Sequence, residues 1–383
     1  MRFIHTADWH LGKSLKGRSL LDDQEHILGE FIKLVEDSKP QAVVIAGDIY
    51  DRGVPPTEAV ELFDEALTKL LLEKKLPVLY ISGNHDSAKR IHFGSKLFAS
   101  AGLYVRGELR SDFSPVVLED EAGPVYFSLI PYLEPNKAAD VLEIDGRLSF
   151  EAAHEAVIQR ARGRIPKDKR SVAVAHAFLA GGIASESERP LSVGGADNVP
   201  PSLFKDYSYT AMGHLHGPQR AGADNIRYSG SLLKYSFDEA NQKKGVTLVE
   251  LDGKGKAKTE HLPLTPLRDV KILEGLMEDV RTDRDKYPKS QDYVMVRLLD
   301  THPVLNPIDR LSEIYPNILA IERKGLAARA ELRQAEGPRV DMSEETLFRD
   351  FYEEMTNRKL DEDEERLLKE CILKARREEG ELE

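Results

Sequence analysis

Eight residues in five short segments carry the groups in this chain that could do chemistry: Asp8 and His10 in "HTADWHLG", Asp48 in "VVIAGDIYD", Asn84 and His85 in "ISGNHDS", His176 in "VAVAHAF", and His214 with His216 in "YTAMGHLHGPQ". Carboxylates, imidazoles and a carboxamide are hard or borderline metal ligands, and there are too many of them for one ion. Two divalent ions is the economical reading. Such a site, about 3.5 to 4 Å across, needs one carboxylate shared by both ions and sets up in-line attack of a water-derived oxygen on phosphorus. Asp48 is the expected bridge, with Gly47 letting the chain turn tightly before it. Taken alone, each segment has an ordinary structural reading: a cap beside a buried histidine, a turn, a polar loop. Five in series, each just past an apolar run, make the ligand reading the better one. His214 and His216 are two apart, so on a strand both would point the same way.

The segments that must position these groups repeat one pattern. A short β-branched apolar run ends in a polar cluster, and between the first three runs lie helical stripes at Leu28, Phe31, Ile32, Leu34 and Val35, then at Ala59, Leu62, Phe63, Ala66, Leu67 and Leu70. Strand, helix, strand predicts an α/β core with buried strands and reactive groups at their carboxyl ends. After "GHLH" the runs "IRYSGS", "KKGVTLVEL" and "AKTEHLPL" lack helices between them, and are expected to extend a second sheet packed on the first. Two prolines in "LPLTPLRDV" mark a boundary. The expected domains are residues 1–266, a small α+β unit at 267–338 and a helical tail at 339–383. Within the second, "KILEGLMEDVR" and "PIDRLSEIY" read as helices, "DYVMVRLL" and "ILAIER" as strands.

The tail reads as two amphipathic helices. One stripe is Leu347, Phe348, Phe351, Tyr352 and Met355; the other is Leu367, Leu368, Cys371, Ile372 and Ala375, with Asp361 and Glu364 forming a capping box. Two short helices cannot bury both stripes by themselves, so the tail either packs back on its own chain or docks on an apolar helical partner.

Composition bounds the rest. The 383 residues are 41% hydrophobic and 31% charged, enough for a large core under a polar surface. The net charge of −12 weighs against a nucleic-acid partner until it is located: residues 341–383 hold 16 acidic and 8 basic side chains, so most of the excess acid lies in the tail. A single cysteine, Cys371, excludes an intrachain disulfide and a thiolate metal cluster and agrees with a reducing compartment. No leader pattern opens the chain and no apolar run is long enough for a bilayer, so a cytoplasmic protein is expected.

The motif series D-x-H, G-D-x-x-D, G-N-H-D, H and G-H-x-H, met here by "DWH", "GDIYD", "GNHD", "VAVAH" and "GHLH", resembles that of the calcineurin-like metallophosphoesterases over about residues 1–265. "HTADWHLGK", "GDIYDRGVPP", "GNHDS" and "GHLHGPQ", with the order of domains, extend the resemblance over the whole chain to the SbcD family of bacterial nuclease subunits. The resemblance implies an α/β fold, a four-layer α/β/β/α sandwich with a small α+β capping domain and a C-terminal helical pair. It implies one ion on Asp8, His10, Asp48 and His216, and a second on Asp48, Asn84, His176 and His214. His85 falls where the family places the histidine that faces the substrate phosphate, and Asp86 where it supports a neighbour. Relatives from archaea and eukaryotes carry histidine at the position of Asp51, which leaves it either touching substrate or supporting the ligand loop.

Ligands without sulfur suit Mn²⁺, with Fe or Zn as alternatives. The implied activity is exonuclease action on double-stranded DNA ends and endonuclease action on single strands and hairpins, in DNA repair, recombination and replication. The implied partners are DNA and an SbcC-type coiled-coil ATPase gripped by the tail, with the chain a homodimer inside a heterotetramer and no membrane. Lys13, Lys16, Arg18, Lys89 and Arg90 are the candidate DNA contacts. Ile91, Phe93, Leu97 and Phe98 read as ordinary packing, with a homodimer contact as the family alternative. Rival readings are a small-molecule phosphodiesterase or phosphatase of the same fold, and a non-catalytic scaffold that binds DNA ends.

Overall fold

The computed structural model describes residues 1–188, 198–325, 343–356 and 358–378. The chain divides into two units, Met1–Val270 and Lys271–Glu383. The expected boundary between 338 and 339 lies outside the described residues.

In the first unit, β1 (Arg2–Thr6), β2 (Ala42–Ile45), β3 (Val78–Ile81) and β4 (Leu103–Arg106) run parallel and side by side. The chain then builds a second sheet from β5 (Val116–Asp120), β6 (Gly123–Ile130), β7 (Arg170–His176), β8 (Tyr209–Gly213), β9 (Gln219–Ala221) and β10 (Ala223–Tyr228), in the order β9-β10-β8-β7-β6-β5. It returns to the first with β11 (Gly245–Leu251) and β12 (Ala257–Pro263), giving β12-β11-β1-β2-β3-β4. The late hairpin therefore does not extend the second sheet as expected; of the three late runs only the first joins it. The reason is its pairing with the first strand. β11 pairs antiparallel with β1, Phe3 opposite Val249, and the Met1 ammonium donates to the Leu251 carbonyl oxygen at 2.6 Å.

The period of two along each strand sorts side chains to two faces. Phe3, Val44, Leu79, Ile81 and Val249 meet Phe127, Val172, Val174 and Ala211 between the sheets, with the Phe3 and Phe127 rings 5.6 Å apart edge to face. On the outer side of the first sheet lie α1 (Leu21–Ser38) and α2 (Thr57–Thr68), where Trp9 packs between Phe31 and Phe63. On the outer side of the second lie α3 (Pro135–Leu142) and α4 (Phe150–Arg162), whose Ala138, Ala153, Val157 and Ile158 cover Ala173, Ala175 and Met212. The Ser149 hydroxyl caps α4 by accepting from the Ala152 amide at 3.1 Å. Helices outside two facing sheets make the four-layer α/β/β/α sandwich.

The second unit is a three-stranded sheet, β13 (Val270–Gly275), β14 (Tyr293–Leu298) and β15 (Ile318–Arg323), with α5 (Met277–Thr282) and α6 (Pro307–Ser312) over a core that includes Val280, Val294, Val296, Leu311 and Tyr315. The expected helix at 271–281 is half strand. The Asp300 carboxylate accepts from the Met277 amide at 2.8 Å, an N-terminal cap that starts the helix there and leaves 270–275 to the sheet. The tail is α7 (Glu344–Thr356) and α8 (Glu362–Glu378). The capping box is formed: the Asp361 carboxylate accepts from the Glu364 amide at 2.9 Å and the Glu364 carboxylate from the Asp361 amide at 3.0 Å. No described helix is long and apolar enough to cross a membrane.

Candidate metal centre

The five segments converge because the loops after β1 and β2 run side by side. The amides of Asp8, His10 and Leu11 donate to the carbonyl oxygens of Gly47, Asp48 and Ile49 at 2.9 to 3.0 Å, which sets Asp8, His10 and Asp48 against one another. Gly47 turns at φ +90°, as the turn before Asp48 requires. Gly213, at the end of β8, lets the second sheet close onto the first: a Cβ there would lie 1.9 Å from the Ala46 carbonyl oxygen. Asp8, His10, Asp48 and His214 all have φ between 45° and 109°, so four of the expected ligands sit in left-handed backbone that L residues rarely adopt. Strain gathered on the residues that carry the chemistry is typical of functional loops.

One expectation about the last pair is corrected. β8 stops at Gly213, and His214 turns off it, so His214 and His216 are not two side chains on one strand face. His214 Nδ1 meets Asn84 Oδ1 at 3.1 Å, whereas His216 Nε2 meets His10 Nε2 at 3.0 Å. The two histidines thus serve opposite ends of one cluster.

Asp48 lies between those ends. Its Oδ2 is 3.6 Å from His10 Nε2 and 3.5 Å from His176 Nε2. His176 Nδ1 is 2.9 Å from the Ala46 carbonyl oxygen, so Nδ1 carries a proton and Nε2 faces inward, 2.9 Å from Asn84 Oδ1. Ligand atoms of Asp8, His10 and His216, and separately of Asp8, Asp48 and His176, lie within 4.8 Å of one another. The donor set fits divalent ions: two imidazole nitrogens facing each other at 3.0 Å, two carboxylates and an amide oxygen in a buried pocket invite a cation between them.

The electrostatics agree. Burial holds the Asp8 carboxyl well above the usual range against the pull of His176. Burial pushes Asp48 the same way, but the imidazoles of His176 and His10 outweigh it and hold this carboxyl well below the usual range. His214 is pushed down to about 3, first by burial and then by His176, so it is a neutral imidazole with a lone pair to give.

Around these groups the structure places the remaining candidates. His85 is buried; its amide donates to Asp48 Oδ1 at 2.8 Å and its Nδ1 meets the Asp51 carbonyl oxygen at 2.9 Å. The Asp86 carboxylate accepts from the amides of Gly83, Ile49 and Tyr50 at 2.9 to 3.1 Å, tying the loops after β2 and β3 together, and burial followed by the Asp48 charge pushes it up to about 7. The Asp51 side chain takes the Lys13 ammonium at 2.7 Å and sits 3.6 Å from His10 Nδ1. Lys13 is therefore half-buried and engaged by a carboxylate. Lys16 and Arg18 are exposed on a two-stranded hairpin, Ser14–Leu15 with Arg18–Ser19, and Lys89 and Arg90 are exposed on the short helix Ala88–His92. Lys89 lines a cavity of about 490 Å³ that also reaches Asn84, Asp86, Tyr132 and Lys137.

Ile91 is buried, but Phe93, Leu97 and Phe98 are 80%, 77% and 40% exposed, which corrects the packing reading for these three. They sit at or after the end of a helix that stops at His92, where the chain turns outward through Gly94 at φ +71°. In the tail, Leu368 is buried, Tyr352 and Ile372 are half-buried, and Phe348, Phe351 and Leu367 are exposed. The side chains of Leu347 and Met355 lie outside the described residues.

Four functional neighbours had no motif to reveal them. The Gln24 side chain accepts from the Gly12 amide at 2.9 Å and donates to the His10 carbonyl oxygen at 2.8 Å, holding the first ligand loop. Ser187, Glu239 and Lys244 form a polar group behind His216. Buried charge in "SFDEANQKKG" is invisible to periodicity, because the segment reads as a solvated loop.

Residues 1–218 match the family described as "Calcineurin-like phosphoesterase", and residues 265–356 match the "Type 5 capsule protein repressor C-terminal domain". The chain is 34% identical over 360 residues to the SbcD subunit of the nuclease SbcCD of Staphylococcus epidermidis, covering 94% of this chain and 95% of that protein. It is also 34% identical over 380 residues to the protein of the same name in Staphylococcus saprophyticus, covering 99% and 100%.

Proposed function

This chain belongs to the calcineurin-like phosphoesterases and, within them, to the SbcD nuclease subunits, and from that membership we propose that it hydrolyses DNA phosphodiester bonds on two divalent ions. It acts as an exonuclease on duplex ends and an endonuclease on single strands and hairpins, beside DNA in the cytoplasm. The observation that carries the reading is the buried Asp48 carboxylate, 3.6 Å from His10 and 3.5 Å from His176, at the centre of a cluster fed by five strand ends.

Asp8, His10, Asp48 and His216 would hold one ion; Asp48, Asn84, His176 and His214 would hold the other. Held there, two divalent ions would supply positive charge for the phosphate oxygens and would acidify a water for attack on phosphorus. Oxygen and nitrogen ligands without sulfur suit Mn²⁺, with Fe or Zn as alternatives. His85 is the proton donor: the Asp51 carbonyl oxygen fixes the ring through Nδ1, and Nε2 delivers its proton to the ester oxygen as the P–O bond breaks. Asp86 holds the loops that carry Asp48 and Asn84, and Asp51 supports the His10 loop through Lys13. Lys16, Arg18, Lys89 and Arg90 meet DNA phosphates. Phe93, Leu97 and Phe98 are the face a second copy covers.

Incubation with end-labelled duplex, hairpin and single-stranded DNA in Mn²⁺, beside bis-p-nitrophenyl phosphate, tests the reading. Cleavage of all three DNAs is expected. Turnover of the small diester alone, with DNA untouched even in the presence of an SbcC-type ATPase, would favour the small-molecule phosphodiesterase reading.

Residues 1–266 form the nuclease domain, 267–338 the cap and 339–383 the grip on the coiled-coil ATPase. Exposed Phe348, Phe351 and Leu367 on paired helices form an apolar face suited to a helical partner. Truncation after residue 342 is expected to leave turnover of the small diester within twofold of the full chain and to abolish co-elution with the ATPase. Retained co-elution would move the docking face elsewhere.

A further inference from the structure

We propose that Ser187 and Glu239 are positioning residues that set the tautomer of His216, a role that rests on the reading of His216 as a metal ligand. His216 Nδ1 is 2.6 Å from the Ser187 hydroxyl, and that hydroxyl also bonds Glu239 Oε1. An ionised carboxylate only accepts, so the hydroxyl proton goes to Glu239 and the Ser187 oxygen is left to accept from His216 Nδ1–H. The proton is thereby held on Nδ1, and Nε2 presents a lone pair.

That Glu239 is ionised follows from its surroundings. It is fully buried, and the Lys244 ammonium lies 2.5 Å from its other oxygen. Every other polar atom of His216 is also held: its amide donates to Glu188 Oε1 at 2.5 Å and its carbonyl oxygen accepts from Lys244 at 2.7 Å. Only Nε2 is left, and it is turned on His10 Nε2 at 3.0 Å. His10 has only a looser device, the Asp51 carboxylate 3.6 Å from its Nδ1. Its buried Nδ1 has no hydrogen-bond partner among the described residues, so within this facing pair His216 is the ring whose protonation pattern the protein dictates. A hydrogen-bonded carboxylate behind a ligating imidazole raises its basicity and fixes its orientation. Here the carboxylate acts through a serine, with its own Oε1 3.5 Å from His216 Nδ1.

The test uses the full chain, metal-free and then loaded with Mn²⁺. Long-range ¹⁵N–¹H correlation on histidine-labelled, metal-free protein reads the tautomer directly, and His216 is expected as the Nδ1–H form. In Glu239→Gln the new amide donates to Ser187, whose hydroxyl must then donate to His216 Nδ1. The ring is expected to switch to Nε2–H, and the affinity for one of two bound Mn²⁺ ions to fall about 10- to 100-fold.

Ser187→Ala leaves the Glu239–Lys244 pair intact, so it guards against a variant that fails to fold; it is expected to give a mixed tautomer and the same direction in Mn²⁺ affinity. Ser187→Thr, which keeps the hydroxyl, is expected to restore both readouts. An unchanged Nδ1–H signal in both Glu239→Gln and Ser187→Ala overturns the proposal. A switched tautomer with both Mn²⁺ affinities unchanged leaves the relay standing and removes the ligand reading of His216.

Discussion

Asp48→Asn is expected to yield a folded protein that cleaves neither DNA nor bis-p-nitrophenyl phosphate, with rates down by at least about 10³-fold. The substitution keeps the shape, and the amide oxygen still accepts from the His85 amide, now 2.8 Å from Asp48 Oδ1. What it removes is the charge at the point between His10 and His176. Both ions share this ligand in the proposed site, so elemental analysis after Mn²⁺ loading is expected to fall from two ions per chain to fewer than one. A carboxamide cannot bridge two cations as a carboxylate can, and the site's remaining charge then rests on Asp8 alone. A thermal melt of the metal-free protein serves as the control for folding. Two ions per chain with undiminished cleavage would remove Asp48 from the bridge. Loss of DNA cleavage alone, with the small diester still hydrolysed, would make it a DNA contact instead.

Much of this site was legible because its ligands follow strands whose burial is written in their residues. "AVVI" and "VLYI" are apolar at every position, as strands covered on both faces must be, and the polar residues just beyond mark their ends. The completion of the first sheet was not legible. That β11 pairs antiparallel with β1, Phe3 opposite Val249, brings together opposite ends of the first unit, a contact that no local pattern encodes.

The turn at His214 was hidden for a different reason. Alternation along a strand predicts a shared direction only while the strand lasts, and here close approach of Gly213 to Ala46 ends it one residue too soon. "KILEGLMEDVR" misled because Leu273, Leu276, Met277 and Val280 satisfy a helical spacing, while an acceptor 23 residues away, Asp300, decides where the helix begins. Glu239 and Lys244 read as solvated loop charges and are buried as a pair. Ligands announce themselves by type and order; the groups that orient them are recruited from wherever the fold brings a partner near.

That distinction gives the second large expected effect its form. His85→Ala is expected to lower cleavage of DNA about 10²- to 10⁴-fold, the usual worth of a positioned proton donor, while two Mn²⁺ ions per chain are retained. The two outcomes separate because the structure attaches His85 to the cluster through its backbone, while the proposed chemistry uses its ring. Its amide, which alanine keeps, is the group bonded to Asp48. Its ring is anchored on the other side by Nδ1 against the Asp51 carbonyl oxygen, within 4.6 Å of the His10 ring centroid.

Removing the ring should therefore cost proton delivery and leave Asp48 in place. The defect should shrink on a substrate whose leaving group needs no proton, so the loss on bis-p-nitrophenyl phosphate, with its acidic nitrophenol, is expected to be smaller than the loss on DNA. Equal losses on both substrates with both ions bound would assign His85 to stabilising charge on the phosphate rather than to protonating the leaving oxygen. Loss of an ion from His85→Ala would instead make the histidine a ligand, in keeping with the approach of His10, Asp51 and His85 to within 4.8 Å of one another.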